Sequence, residues 1–524
     1  MVERRLGTSV RPRATGVNVR SMEIFRGLGL EEQIRSVSLA GDGVPFLLAG
    51  ETVAGPARTR VESDQYLSAM PPGWPSPAQA CWCAQDQLEP LLLAAAQACA
   101  STALRFGAEL VSVTDNGDQV RAVLRDTGTG DTQMVEAAYL VGADGVHSTV
   151  REQLGIGARG QEAFASELTI LFRADLEPAL HGRRFFLYRI ENGEVSGILR
   201  PARTSGRWLF GTPAPAGTTP GRCAELLRAA VGDPGLDVEI IATGAWQAAA
   251  LVADAFIQGR VVLAGDSAHQ HTPGGGFGLN MGIGDAHNLA WKLAAVLDGW
   301  AGPGLLGTYE TERRPLAQLT TKLSAERLQA GVARSARILG VVLGAEYQAG
   351  AFVPDGSPPP ATTDPVTDYR PCARPGHRAP HLWLDPGRTI STLDLFNTGE
   401  LTLLTAEPGA WQAAATAAVD NGIPLHVQEL RAPPGPAATR WNPMGPSWSA
   451  PTVMWRPAGP AHRHPRRPPS PSPWPASCVI GDLELRAPGT LYERLGSARP
   501  IISLATPRLR RTEVAASSDR GYVT

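Results

Sequence analysis

An α/β architecture interrupted by an antiparallel β-sheet is predicted by three features of the sequence. Two apolar runs, YLVGADG and RVVLAGD, each end at glycine and aspartate and lead into a helical pattern, the order expected of an open, doubly wound sheet. Between about Ser166 and Trp246 the texture changes to short β-branched and aromatic runs separated by turn signals. At 524 residues the chain exceeds a single hydrophobic core, so two or three domains are expected.

Composition narrows the class. A hydrophobic fraction of 43% and a net charge of −2 describe an ordinary globular protein and argue against nucleic acid as the main partner, since phosphate binding needs a concentrated basic face. Basic charge is nearly all arginine; Lys292 and Lys322 are the only lysines. Six cysteines (Cys81, Cys83, Cys99, Cys223, Cys372, Cys478) are scattered without metal spacing, which reads as reduced thiols in a cytoplasmic protein. The start, MVERRLGTS, has no apolar core of a signal peptide. No apolar run approaches about 18 residues, so no membrane span is expected.

In chain order, Met1–Arg5 reads as the end of a short strand. NVRSMEIFRGLGL follows with apolar residues Val19, Met22, Ile24, Phe25 and Leu28 at helical spacing. DQLEPLLLAAAQACASTA is a helix whose apolar face carries Leu88, Leu91, Leu92, Ala95 and Ala96. AELVSVTDNGDQVRAVLRD reads as a hairpin turning at Asn116-Gly117. ELTILFRADL, RRFFLYRI, EVSGILRPA and GRWLFGTP are the strands of the inserted sheet. After Arg260 the α/β texture returns, and helices run to about Gln348. A proline-rich linker, GSPPPATTDP, leads to a third unit starting near Pro371.

The chemistry concentrates at RVVLAGDSAHQHTPGGGFGLN. Ligands of open parallel sheets sit outside the carboxyl ends of strands, which puts Asp266 at a binding crevice. A carboxylate there accepts hydrogen bonds from ribityl or ribose hydroxyls. The run PGGGFGLN removes side chains where a flat ligand edge approaches backbone amides, and the next helix aims its N-terminal dipole at electron-rich groups. A flavin meets all three conditions. A loop that merely turns the chain is the weaker reading, given the strand–Asp–loop–helix order. Upstream, Asp144 ends a second such strand and Arg151 opens the following helix. Glu3 stands where a dinucleotide fold carries the acid for the adenosine ribose, and Arg13 and Arg20 are suited to a pyrophosphate or else are solvated surface charges. Asp266-x-x-His269-x-His271, with His287, has the donor types of a metal set, but a glycine loop supplies no supporting shell, so no metal is expected. Phe172, Phe185, Tyr188, Trp208, Phe210 and Trp246 fit an aromatic substrate pocket and core packing about equally well.

VERRLGTSVRPRATGVNVRSMEIFRGLGL, CAQDQLEPLL, GADGVHSTVR, AGDSAHQHTPGGGFGLNMGIGDAHNLAWKL and YETERRP together resemble the FAD-dependent aromatic hydroxylases, the class A flavoprotein monooxygenases. The nearest branch is the polyketide hydroxylases of anthracycline, tetracenomycin and angucycline pathways, and the likeness runs from residue 1 to about 430. It implies an FAD-binding Rossmann-like domain, an inserted antiparallel β-sheet substrate domain and a C-terminal thioredoxin-like domain, the last without a Cys-x-x-Cys redox pair. The implied boundaries are 1–165 and 251–350 for the FAD-binding domain, with a small substrate-domain excursion near 45–80. Residues 166–250 form the substrate sheet, 371–435 the partial thioredoxin-like domain, and 436–524 an aberrant or disordered tail. By the same resemblance Glu3 binds the adenosine ribose, Arg13 and Gln85 lie along the FAD diphosphate, and Asp266 holds the ribityl chain. Pro273, Gly278, Leu279 and Asn280 contact the isoalloxazine edge; Asp144 and Arg151 serve FAD and NADPH handling. The implied reaction consumes NADPH and O2 and hydroxylates an aromatic polyketide through a flavin C4a-hydroperoxide. Baeyer–Villiger oxygen insertion on the same scaffold, or an inactive relic, are the alternatives.

Two departures from the family pattern raise further expectations. No Gly-x-Gly-x-x-Gly strand–loop–helix is present, so the first βα unit, roughly thirty residues, is expected to be missing through a miscalled start. Arg431–Pro475 holds fourteen prolines, and an alternative reading of the bases behind Pro443–Arg456 yields a family-like hairpin. A frameshift near residue 435 is therefore expected.

Overall fold

The computed structural model describes residues 1–9, 14–38, 44–63, 65, 70–202, 206–213, 218–330, 337–396 and 401–430, and the backbone of the strands Thr452–Trp455 and Ile501–Leu504. Two parallel strand pairs belong to the α/β layer. Val2–Glu3 pairs with Arg105–Phe106, and Leu140–Gly142 pairs with Val261–Leu263. The second pair is the pair of apolar runs ending in Gly-Ala-Asp and Gly-Asp. Val261, Val262 and Leu263 are wholly buried, as a strand covered on both faces must be.

The inserted sheet has eight strands in the order His269–Gln270, Glu239–Ala253, Ala158–Arg173, Arg207–Thr212, Ser196–Pro201, Leu187–Glu191, Leu47–Gly50 and Thr59–Val61. All its pairs are antiparallel except Leu187–Glu191 with Leu47–Gly50. Its two longest strands start at Ala158 and end at Ala253, past the bounds at 166 and 250 that residue texture indicated, and carry it up to the glycine loop. Period-2 alternation sorts its side chains. Ile170, Phe172, Tyr188, Leu199 and Phe210 point to one face and pack on Cys223, Leu227 and Val231 of the helix Pro220–Val231. This decides the aromatic residues left open by the sequence. Phe172, Phe185, Tyr188 and Phe210 are core, Trp208 packs against them, and Trp246 alone stays 36% exposed, donating its indole N–H to Thr169.

The hairpin Ala108–Asp115/Val120–Asp126 turns at Asn116-Gly117 as expected, with Gly117 at φ +91°. A third strand, Thr132–Ala137, extends it. Its residues are exposed throughout, so no alternation betrays it in the sequence. The helix Val19–Gly27 is capped by the Asn18 side chain, which accepts the Ser21 N–H at 2.9 Å. Its buried face includes Val19, Met22, Ile24 and Phe25.

After the irregular stretch 344–391, Leu401–Thr405 and Leu425–Glu429 pair in parallel around the helix Pro408–Asp420. Thr452–Trp455 joins Leu401–Thr405 antiparallel and Ile501–Leu504 joins Thr452–Trp455. These two strands thus have places in a sheet, inside the segment expected to be foreign to the fold; the rest of 436–524 lies outside the described residues. No helix among the described residues is long and apolar enough to cross a membrane.

Candidate functional site

The strand Val261–Leu263 ends in a one-turn 3-10 helix, Gly265–Ser267, that swings Asp266 outward. Asp266 is exposed, while its neighbour Ser267 is wholly buried. The Ser267 hydroxyl lies 2.6 Å from Gly142 O and 2.9 Å from Ala264 O. Arg151 donates to Ser267 O at 2.8 Å and to Val146 O at 2.9 Å. Asp144 accepts from Ser148 Oγ at 2.5 Å and from Val150 N at 3.0 Å, closing the first turn of the helix Thr149–Gln153. The two strand-end motifs are therefore tied together: Arg151 clamps one to the other and Asp144 secures the helix that carries Arg151.

The glycine loop is shaped more by the protein behind it than its composition indicates. A Cβ on Gly274 would lie 2.3 Å from Ser324 O and 2.8 Å from Leu328 N, so that glycine lets the loop pack on the helix Gly304–Ala330. Thr272 adds to this seam, its N–H donating to Ser324 Oγ and its hydroxyl to Ser324 O. Gly275 and Gly276 have φ of +90° and +66°, which side chains resist. Gly274→Ala is expected to destabilise the fold by about 1–3 kcal/mol through forced backbone displacement. Thermal unfolding beside an alanine replacement at Gly193, which has open space around it and a φ outside the left-handed region, measures it.

The helix Phe277–Leu297 starts directly after this loop, so its free amides face the crevice. Pro273 is exposed at the loop, and Gly278 and Leu279 are partly exposed on the first turn. A Cβ at Gly278 would sit 3.9 Å from Asp266 Oδ1, so Gly278 and Asp266 border one space. Asn280 is different. Its Oδ1 accepts Asn18 N–H at 2.9 Å, and its Nδ2 donates to Gly16 O at 3.0 Å and Gly276 O at 2.8 Å. The whole amide is engaged by backbone, so Asn280 fastens the loop to the segment before the first helix.

Gln85 opens the helix Gln85–Gln97. Its N–H donates to Ala14 O at 2.8 Å, and Nε2 donates to Glu89 Oε1 at 2.5 Å. Glu3 ends its strand and accepts the Arg5 N–H at 2.8 Å. Arg13 lies outside the described residues. Arg20, suited in sequence to a pyrophosphate, is held by Glu23 at 2.9 Å.

Two residues unassigned in sequence fix this geometry from below. Asp285 is fully buried; its Oδ2 accepts Gly265 N–H at 3.0 Å and lies 2.6 Å from His269 Nε2, while Oδ1 accepts Arg313 Nε at 2.7 Å. Burial alone would raise this carboxyl, but His269 and Arg313 overcome it and hold it at about 2. Arg313 also donates to Met281 O at 3.2 Å. Both residues lie in quoted motifs, GIGDAHN and YETERRP, yet only the crossing of two helices brings them together. Beside them Lys292 bonds Glu312 at 2.7 Å; burial pulls its ammonium down to about 8 despite that carboxylate.

The metal reading has no geometry to support it. His269 meets Asp285, His271 meets Thr320 Oγ1 at 2.9 Å, and Asp266 is outside on the exposed side of the turn. Among the described residues no group of three or more His, Cys, Asp or Glu is arranged to hold a metal. On the sheet domain, Trp82 and Phe186 stack with ring centres 3.3 Å apart, Phe46 lies against both, and Arg200 reaches Thr15 Oγ1 at 3.3 Å. Burial draws the Arg200 guanidinium down to about 10.

Comparison with known proteins gives this geometry its context. Residues 1–324 match the family model described as an FAD binding domain, and residues 372–457 match that of the aromatic-ring hydroxylase C-terminal domain. The tetracenomycin B2 monooxygenase-dioxygenase of Streptomyces olivaceus is 37% identical over 81% of this chain and 83% of its own. The aklavinone 12-hydroxylase of Streptomyces peucetius subsp. caesius is 37% identical over 80% of this chain and 88% of its own. Among solved structures, aklavinone-11 hydroxylase in ternary complex with FAD and aklavinone matches with a TM-score of 0.77 at 33% identity, covering 87% of this chain and 89% of that one.

Proposed function

The chain belongs to the FAD-dependent aromatic-ring hydroxylases, and on that premise we propose that it hydroxylates a polycyclic aromatic polyketide at the expense of NADPH and O2. The observation that carries the reading is the crevice of Asp266, the glycine loop and the helix N-terminus, braced from below by Asp285 and Asn280. The residues fit the cofactor. Exposed Asp266 would accept hydrogen bonds from ribityl hydroxyls, and Gly278 leaves the adjoining space open. The amides of Gly278 and Leu279, at a positive helix end, favour the side of a flavin that gains electron density on reduction. Pro273 borders the ring edge; Asn280 acts through the loop it fastens.

At the diphosphate end, Gln85 would lie along the phosphates and Glu3 would meet the adenosine ribose; Arg13, outside the described residues, is assigned to the phosphates by the family resemblance alone. Asp144 and Arg151 contribute by keeping the two strand ends in register. Held by these residues, FAD would supply oxygen-transfer chemistry, in which NADPH provides two electrons, one atom of O2 enters the aromatic ring and the other leaves as water. The protein's own part is orientation and dryness. Arg200 and the stack of buried Trp82 and Phe186 with Phe46 are the part of the sheet domain whose apolar, aromatic character suits a fused aromatic substrate.

The test is to purify the chain, add FAD, and follow protein-bound flavin and its bleaching by NADPH, with aklavinone as a trial substrate. Flavin retention and substrate-stimulated NADPH oxidation, with a product one oxygen heavier, support the proposal. Absence of bound flavin at saturating FAD overturns it.

A further inference from the structure

The helix Phe277–Leu297 has a second functional side. Gly278 and Gly282 turn towards Asp266 and Gly265, whereas Phe277, Gly284 and Asn288 line a cavity of about 130 Å³ on the other face. The helices Val19–Gly27 and Gly304–Ala330 and the chain between 341 and 378 line its other walls. That volume accommodates about four water-sized groups.

Charge in its wall does not balance. Arg378, 5% exposed, forks onto Glu23, with Nε 2.8 Å from Oε2 and Nη2 on Oε1. Arg20 bonds the same Glu23 Oε2 at 2.9 Å. Two guanidiniums therefore share one carboxylate. The other cations are matched, Arg313 by Asp285 and Lys292 by Glu312. His287 also lines the cavity, and its buried Nε2 has no partner among the described residues. Burial, then Arg20 and Arg313, push this imidazole well below its ordinary range, so it stays neutral. A neutral ring with Nε2 protonated is a donor awaiting an acceptor. The surplus guanidinium is Arg20, 29% exposed at the cavity wall, and an anion placed between it and the buried Arg378 offsets that surplus positive charge.

We propose that this cavity binds a small anion, a halide or a short carboxylate, between Arg20, Arg378 and His287. The site is separate from the flavin crevice and does not depend on the polyketide reading. A cation is disfavoured by the same excess of positive charge, and an apolar guest would leave Nε2 of His287 unsatisfied.

The FAD-loaded full chain is unfolded thermally in sodium bromide, acetate or gluconate at equal ionic strength, gluconate being too bulky to enter. Crystals soaked in bromide are measured for anomalous scattering. Bromide is expected to raise the midpoint by a few degrees over gluconate and to give an anomalous peak beside Arg20 and His287. Acetate that raises the midpoint and removes the peak identifies a carboxylate site; acetate without effect identifies a halide site. Arg20→Gln weakens the half-saturating bromide concentration at least about tenfold, the loss of one charge-assisted hydrogen bond. It does not lower the midpoint in gluconate, because Arg378 keeps Glu23 paired. His287→Leu abolishes the bromide increment. No peak in the cavity, or equal bromide increments in wild type and both variants, would overturn the proposal.

Discussion

Replacing Asp285 with alanine is expected to cost about 3–5 kcal/mol of folding stability. The cost comes from what is left behind. Arg313 would keep a buried guanidinium without a counter-charge, His269 would lose its partner at 2.6 Å, and Gly265 N–H would lose its acceptor. Denaturant unfolding monitored by tryptophan fluorescence measures this, and a loss under about 1 kcal/mol would show the cluster to be incidental. A pH signature accompanies it. The Asp285 carboxyl drops from 3.8 in the unfolded chain to about 2 in the folded one, so its contribution is complete above 3.8 and disappears as pH falls towards 2. Its magnitude is about 2 kcal/mol. Acid unfolding between those values should therefore be shallower in Asp285→Ala than in the parent. Because Gly265 precedes Asp266, the variant should also hold FAD more weakly.

Asp266→Ala is expected to do the opposite: flavin affinity falls while the fold persists. A carboxylate accepting hydroxyl hydrogens contributes about 1.5–3 kcal/mol, roughly a tenfold to hundredfold change in Kd. Asp266 is exposed on the turn, so the stability of the flavin-free protein should shift by no more than about 0.5 kcal/mol. Quenching of FAD fluorescence gives the Kd, and Asp266→Asn should recover part of the loss. Unchanged affinity in Asp266→Ala would remove this carboxylate from the flavin site. The two aspartates thus separate by readout: Asp285 affects stability first and flavin second, Asp266 flavin alone.

Much of the architecture was legible because local rules agreed with the global fold. VVL is buried on both faces and had to read as an unbroken apolar run; the Asn116-Gly117 turn and the Asn18 cap are short-range chemistry. The same holds for the strand–Asp266–loop–helix order, where backbone geometry follows from adjacent residues. The strand Thr132–Ala137 escaped because an exposed edge carries no alternation, and the sheet extends from Ala158 to Ala253 because ladder pairing outlasts the apolar texture.

Side-chain assignments were less readable. Phe172, Phe185, Tyr188 and Phe210 could serve a pocket or a core until pleating placed them under the helix Pro220–Val231. Asn280 stood in a flavin-edge motif but spends its amide on Gly16, Asn18 and Gly276, residues about 260 positions earlier or one turn before. Glycine at 274 is required by the helix Gly304–Ala330 behind the loop.

The sequence by itself determined the class of cofactor, the order of layers and the acid at the end of the Gly-Asp strand, since each depends on residues within one turn or strand of one another. Only the tertiary structure decided which buried charges meet. Asp285 and Arg313, 28 residues apart, meet where two helices cross, and Glu23 on its helix meets Arg378, 355 residues away in the irregular stretch after residue 344. In a low-dielectric interior it is the distance between charges, not their spacing along the chain, that sets their energy.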